Sequence, residues 1–367
     1  MSVYVSEKKA DRPFLGYIFL WLIIGLVVLT SASGPVGYSK FGDTYFFIKR
    51  QILYGLIPGI TLFLILARVR YENWRKWSGF FYLGAIVLMA LVFVPSIGLE
   101  LNGSRSWLAI GGYSFQPAEM AKLGVIIMAA ALLSNKRRNL NDWQNGLLPV
   151  LAILAPIFIL VLLQPDIGTL SILVVILFFM LFIARVPKMY LFVLGALGVI
   201  VLAVMVSLAP YRLQRLTVFL HPELDPQGVG YHINQAFLAV GSGGFWGLGL
   251  GNSRQKFQYL PEVSADSVYA VMAEELGFIF AAGLVVLILA VVWRGLRIAR
   301  NTTNDFGRLL VVGIITWFTW QSFLNIGAMV GVLPLTGVPL PFVSHGGSAL
   351  MTALAAVGII ANVSREN

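Results

Sequence analysis

The side chains with the most chemistry in this chain fall between Gly247 and Gly277, GLGLGNSRQKFQYLPEVSADSVYAVMAEELG. The 367 residues hold only 16 acids, and four of them are here: Glu262, Asp266, Glu274 and Glu275. A carboxylate in apolar surroundings must be solvated, paired or used. Asp266 directly precedes a long apolar run. Partial desolvation there would raise its pKa toward that of a useful general base. The same position suits a helix N-cap, and the two roles can coexist. Glu274 and Glu275 are neighbours, so on a helix they diverge by about 100°. One is expected to face the bundle interior and the other an adjacent element.

Other polar constellations punctuate the apolar sequence. The segment Asn102–Lys122 reads NGSRSWLAIGGYSFQPAEMAK. Pro117 suits a first helical turn, which puts Glu119 and Lys122 three apart on one face. They form either a structural ion pair at the membrane edge or a polar wall of an outward cavity. Arg105, beside Trp107, is an interfacial anchor or a phosphate holder. LQPDIGT sets Asp166 in a tight turn, where an N-cap is the plain reading. Lys49 and Arg50 open a helix, where they snorkel to headgroups or hold an anionic one. His232 has no His or acid at ligand spacing and reads as a hydrogen-bonded structural residue. The glycines after it match neither a phosphate loop nor a dinucleotide fingerprint. They permit close packing and re-entrant backbone instead. Finally, NIGAMVGVLPLTGVPLPFVSHGGS, residues 325–348, breaks apolar sequence with three prolines and carries Ser344 and His345. Such backbone survives at membrane depth only where it lines a cavity or is covered by protein.

These groups need elements to hold them, and composition says which. The chain is 58% hydrophobic and 11% charged, with mean hydropathy +0.85. Soluble domains carry about a quarter charged residues. Apolar runs near twenty residues long, without strand alternation, predict an all-α polytopic membrane protein. Ten helices are expected, at 14–32, 46–67, 77–95, 117–134, 146–163, 168–184, 188–208, 267–293, 308–331 and 344–363. There is no cysteine, which removes disulfides and thiolate metal sites. The first apolar run lacks a small-residue cleavage site and reads as a retained anchor.

The net charge of +10 invites a nucleic-acid reading. Its distribution argues for topology instead. With both termini inside, inner segments hold 17 Lys and Arg and outer loops hold 6. That asymmetry places both termini in the cytoplasm. The loops 96–116, 332–343 and about 209–266 then share the outer face, the last lying between helices seven and eight. One integral-membrane domain, 1–367, is the simplest organisation, with no nucleic-acid partner.

Six motifs in register resemble the SEDS family (shape, elongation, division and sporulation proteins). They are NGSRSWL with QPAEMAK, LLQPDIGT, DPQGVGYHINQ, GSGGFWGLGLGNSRQKFQYLPE, AEELGF and GVLPLTGVPLPFVSHGGS. The form GNSRQK-x-x-YLPE is more similar to the division protein FtsW and its sporulation relatives than to the elongation protein RodA. The resemblance covers nearly the whole chain. It implies a glycosyltransferase that polymerises lipid II into glycan strands at the outer face of the bacterial cytoplasmic membrane.

The resemblance also implies roles. The family's essential acid follows LPE by four residues, which is Asp266 here. It would act as the general base for attack of the acceptor 4-hydroxyl on the donor anomeric carbon, with inversion and loss of undecaprenyl pyrophosphate. Glu119 and Lys122 fall on the family's QPAE-x-x-K motif. With Arg105, Arg50, Asp166, Glu262, Glu275, Ser344 and His345 they are expected to bind substrate. A divalent cation, Mg or Mn, is expected at the leaving group, with no ligand assigned. Partners implied are a class B penicillin-binding protein (a transpeptidase), further divisome regulators and membrane lipids. The lipid-facing sides of the eighth and ninth helices are the expected docking surface. Two positions depart from the family: Ala265 replaces a usual Thr, and Ser267–Val268 replaces an aromatic-aliphatic pair. The rival readings are a lipid II flippase or transporter, which would show paired broken helices, and a non-catalytic division scaffold.

Overall fold

The computed structural model describes residues 9–101, 104–110, 113–136, 138–207 and 210–366. Lys8, Arg137 and the Asn102–Gly103 pair of the NGSRSWL motif lie outside them.

Each of the ten expected ranges falls on helix. The first is α1, Arg12–Phe41, opened by Asp11, whose side chain accepts from the Phe14 amide, and closed by left-handed Gly42. Next come α2, Phe46–Gln51, and α3, Ile57–Leu66, joined through a wide turn at Ile52–Leu56. Then follow α4, Glu72–Leu91, α5, Pro117–Leu133, α6, Leu148–Leu163, α7, Ile167–Ile183, and α8, Lys188–Ser207. Two short helices, α9, Pro210–Leu220, and α10, Val229–Ser242, precede α11, Val268–Asn301, α12, Asp305–Met329, and α13, Gly347–Val363. Among the described residues, six helical stretches are long and apolar enough to cross a membrane. The chain is a polytopic α-helical membrane protein.

Two outer segments carry more structure than their sequence suggests. The loop 96–116 contains a small antiparallel sheet: β1, Gly98–Leu101, β2, Ser104–Ile110, and β3, Tyr113–Phe115, in that order. The loop 209–266 contains α9 and α10. Both helices are amphipathic and lack the long apolar runs that mark spans.

The core is built around α5, α12 and α13, whose side chains are buried almost throughout. The residues 332–346 dip back into this core. Gly25 of α1 meets the Phe342 carbonyl there, and a Cβ on Gly25 would also stand 2.8 Å from Val343 Cα. Gln51 fixes the same turn: its Nε2 donates to the Ser344 carbonyl, and its Oε1 accepts from the Gly346 amide.

The eighth expected helix is broken. At Gly277 the backbone turns to φ 76°, ψ −179°, a region open essentially to glycine alone. An unbroken helix would pair the Phe278 and Ile279 amides with the Glu274 and Glu275 carbonyls. Here the glycine-rich segment takes all four groups. Leu248 and Gly249 amides donate to the Glu274 and Glu275 carbonyls at 3.0 and 2.9 Å. Phe278 and Ile279 amides donate to the Gly244 and Phe245 carbonyls at 2.8 and 3.4 Å. The re-entrant backbone expected from these glycines is therefore hydrogen-bonded to the break itself, which satisfies groups that lipid could not.

Candidate active site

A cavity of about 490 Å³ gathers residues from four of the segments singled out in the sequence. Ser106 and Trp107 come from β2, Asp166 from the start of α7, Glu262, Ser264 and Ala265 from before α11, and His345 from before α13. Arg215 of α9 joins them. Hydrogen bonds join the segments before α11 and α13: the His345 amide donates to the Ser264 carbonyl at 2.8 Å, and Asn325 Nδ2 donates to both the Asp266 and Val338 carbonyls.

Asp266 is half-buried two residues before α11; it follows cavity-lining Ala265 and is not itself among the lining residues. Burial pushes its carboxyl up to about 6, and the Glu262 carboxylate beside it pushes the same way. The Arg215 guanidinium and the Ser267 hydroxyl pull it partly back. A base near pH 6 is ionised at neutral pH yet still strong enough to take a proton.

Ser267 organises the neighbourhood. Its Oγ lies 2.7 Å from His232 Nε2, 2.8 Å from the Pro261 carbonyl and 3.4 Å from Asp266 Oδ1. Burial and Arg215 push the His232 imidazole down to about 4, so the ring is neutral. The sequence left His232 without a partner because its partner is 35 residues away.

Asp166 caps α7 through the Thr169 amide and hydroxyl and lines the cavity as well. Glu262 is exposed, with left-handed φ 49°. Arg50 is exposed and not among the lining residues; its guanidinium stands 4.4 Å over Phe46, three residues along from cavity-lining Phe47.

Five further expected substrate contacts lie outside the cavity lining. Glu119 and Lys122 form a buried pair at 2.8 Å, beneath the cavity rather than in it. Lys122 Nζ also reaches Gln321 Oε1 at 2.7 Å and stands 4.8 Å from the Trp317 ring. Gln321 Nε2 donates to the carbonyl of cavity-lining Pro339. The pair thus acts on the cavity through Gln321. Ser344 is likewise buried, its Oγ accepting from the Leu340 amide. Glu275 is remote. It binds Ser31 Oγ, the Ser253 amide and Lys256 Nζ, the last at 2.7 Å. Glu274 takes the Ser253 hydroxyl and the Arg254 amide. Neither of the adjacent glutamates faces the cavity, because together they cap the GNSRQK turn at the α11 break. Arg105 is exposed on β2 and is not among the cavity-lining residues, although its neighbours Ser106 and Trp107 are.

Among the described residues no three His, Asp or Glu side chains gather as metal ligands. An all-protein metal cage does not fit. An ion carried by substrate phosphates needs only one or two carboxylates, and Asp166 and Glu262 line the cavity.

The family model described as cell cycle protein, which joins FtsW, RodA and SpoVE, matches residues 12–367. The chain belongs to this family. It is 42% identical to stage V sporulation protein E of Bacillus subtilis (strain 168), over 98% of this chain and 99% of the relative. It is 37% identical to a probable peptidoglycan glycosyltransferase FtsW of Geobacter sp. (strain M18), over 93% and 92%. A chain from a peptidoglycan synthase complex, solved for its structural coordination of polymerization and crosslinking, superposes with TM-score 0.77 at 27% identity, covering 99% of each. Within the FtsW/RodA/SpoVE family the chain stands on the FtsW-like side, as the YLPE turn of its sequence suggested.

Proposed function

We propose that this chain is a peptidoglycan glycosyltransferase that polymerises lipid II, with Asp266 as general base. The observation that carries this reading is the half-buried, pKa-raised Asp266 next in sequence to Ala265 of a cavity that is also lined by the Arg215 cation. Asp266 takes the proton of the acceptor 4-hydroxyl. That oxygen attacks the donor anomeric carbon from the opposite face, and the lipid diphosphate leaves. Arg215 supplies positive charge for the leaving group. A divalent cation, Mg or Mn, would add to that charge from the diphosphate itself, with Asp166 or Glu262 as protein ligand. The relatives described as FtsW support the activity.

The cavity opens, on this reading, to the outer side of the cytoplasmic membrane, where the acceptor strand grows. The neighbour from a synthase complex supports a crosslinking partner, a class B penicillin-binding protein. An apolar groove of about 450 Å³ between α10, α11 and α12 is the surface proposed for its membrane helix. Divisome regulators and membrane lipids complete the proposed partners.

The test is purified protein with lipid II, with and without a transpeptidase partner. Glycan strands should form, and Asp266→Asn should abolish them without loss of folded protein. Full activity in that variant would sink the proposal. The broken α11 is the one feature that favours a flippase, since transporters use discontinuous helices at their sites. A liposome translocation assay run in parallel separates the two.

A further inference from the structure

The two ends of α5 open into different hollows. Gln116, just before the helix, lines the candidate active site, and Ser134, just after it, lines a second cavity of about 460 Å³. The 17 residues between set the two about 26 Å apart, close to the ~30 Å of a hydrocarbon core. Helix α12 runs the other way, from Asp305 in the second cavity to Asn325, whose Nδ2 reaches the Asp266 carbonyl. The second cavity therefore opens at the opposite membrane face, which is cytoplasmic on the reading above.

Only polar side chains line it: Arg75 of α4, residues 134–136 after α5 and residues 303–305 before α12. Arg75 and Lys136 are exposed, and neither meets a carboxylate among the described residues. Asp305, the one acid in the lining, is already engaged by Arg308 at 3.2 Å. Asn304 gives its Oδ1 to the Phe306 amide, which leaves its Nδ2 to donate. The lining thus presents two cations and several N–H and O–H donors, with its carboxylate neutralised. That set suits phosphate oxygens and repels a metal cation. Loop charge bias explains why Lys and Arg gather at this face. It does not explain a polar hollow between three helix ends that leaves two of them unpaired.

The membrane supplies phosphate at this depth. Trp77 of α4 is exposed, and Trp143 opens the turn before α6; such aromatic residues mark the headgroup level. From Arg75 an exposed row runs along α4 at every fourth residue, through Gly79 and Leu83 to Val87. It is about 18 Å long at the helical rise, roughly one leaflet of a ~30 Å core. Gly79 leaves the row open beside the headgroup, since a Cβ there meets nothing within 4 Å.

We infer that this cavity is a phosphate site filled by the headgroup of an anionic phospholipid of that leaflet, with Arg75 and Lys136 on the phosphate and an acyl chain along α4. A soluble phosphate ester offers the same head but has nothing to lay on the apolar row. The site needs only the membrane-spanning fold, whatever Asp266 does.

In the experiment the full chain in detergent is titrated with phosphatidylglycerol, phosphatidylcholine or sn-glycerol 3-phosphate, and retained ligand is read by native mass spectrometry. Phosphatidylglycerol should give a discrete adduct that survives an excess of the other two. Arg75→Gln combined with Lys136→Gln should weaken it about twenty-five-fold, roughly fivefold for each cation. The control, Arg68→Gln combined with Arg70→Gln, removes the same charge from the same face outside the cavity and should bind like the parent. Equal loss in the control, unchanged binding in the cavity variant, or equal binding of phosphatidylcholine would overturn the inference. Displacement by glycerol phosphate at equal concentration would overturn it too, by making the ligand a soluble ester. Should the cavity variant fail to fold, the parent decides. Phosphatidylglycerol with a headgroup diazirine should label residues 72–79 and 133–136, and labelling confined elsewhere would overturn the site.

Discussion

His232 Nε2 lies 2.7 Å from Ser267 Oγ, a contact between α10 and the residue that follows Asp266. Ser267 is also where the resemblance set out above leads one to expect an aromatic residue. The departure supplies a hydroxyl that holds the neutral imidazole and borders the carboxylate. Ser267→Ala would leave Nε2 of the half-buried His232 ring without this partner, at a cost of about 1 kcal/mol. It would also remove a group that favours the charged form of Asp266. The expected outcome is a lower Tm together with an acid limb of the pH–rate profile moved to higher pH. Ser267→Thr should preserve both. An unchanged profile in Ser267→Ala would show that the hydroxyl serves only the fold.

The pH dependence of turnover follows from Asp266. Below about 6 its carboxyl is protonated, and the rate should fall tenfold per unit. Glu262→Gln removes a neighbouring negative charge and should move that limb to lower pH. Stability runs the other way. The folded-state value lies above the ordinary 3.8, so this group's contribution is full below that pH and lost as pH rises through about 6. At pH 7.5 the ionised side chain therefore opposes folding. Asp266→Asn should be inactive and melt higher than the parent. Thermal melts at pH 5 and 7.5 check this, since the difference between the two proteins should shrink at the lower pH.

Much of this site was legible in one sequence, for reasons that differ by element. Apolar runs set the helices because lipid leaves the backbone no other choice. Asp266 stood out because it ends a polar stretch before such a run. Asp166 was legible twice, as a cap and as a wall. Arg215 was not, because α9 is amphipathic and its place over the cavity depends on contacts distant in sequence. The Glu119–Lys122 pair was readable as a pair but not in depth, since spacing fixes a helix face and says nothing of what covers it. Glu275 misled for a related reason. Its partners, Ser31 and Lys256, come from α1 and the glycine-rich turn, and the break that brings them together hinges on one glycine.

The buried Lys122 can be tested through its partners. Lys122→Met leaves Glu119 as an uncompensated buried charge, and such losses cost about 3–5 kcal/mol. Glu119→Leu alone leaves the ammonium, with only Gln321 Oε1 as acceptor. The double variant removes both charges and retains apolar volume. It should recover most of the Tm lost by either single change. A double-mutant cycle in nanodiscs reads the coupling directly. Additive losses would mean that the two charges are stabilised independently.

The break at Gly277 gives a prediction about fold alone. Alanine there would have to adopt φ 76°, ψ −179°, and its Cβ would stand 2.6 Å from the Phe245 carbonyl oxygen. Neither demand can be relaxed alone. Straightening α11 would return the Phe278 and Ile279 amides to the helix and orphan the Gly244 and Phe245 carbonyls, while Leu248 and Gly249 would lose their acceptors. Four unpaired backbone groups near lipid outweigh any gain in helix propensity. Gly277→Ala should therefore give no monodisperse protein in size-exclusion chromatography. Gly283→Ala is the control on the same helix. A Cβ there meets nothing within 4 Å, and the change should leave the elution profile intact and raise Tm slightly. Equal behaviour of the two variants would mean that α11 tolerates continuity, and that the glycine-rich turn does not depend on the break.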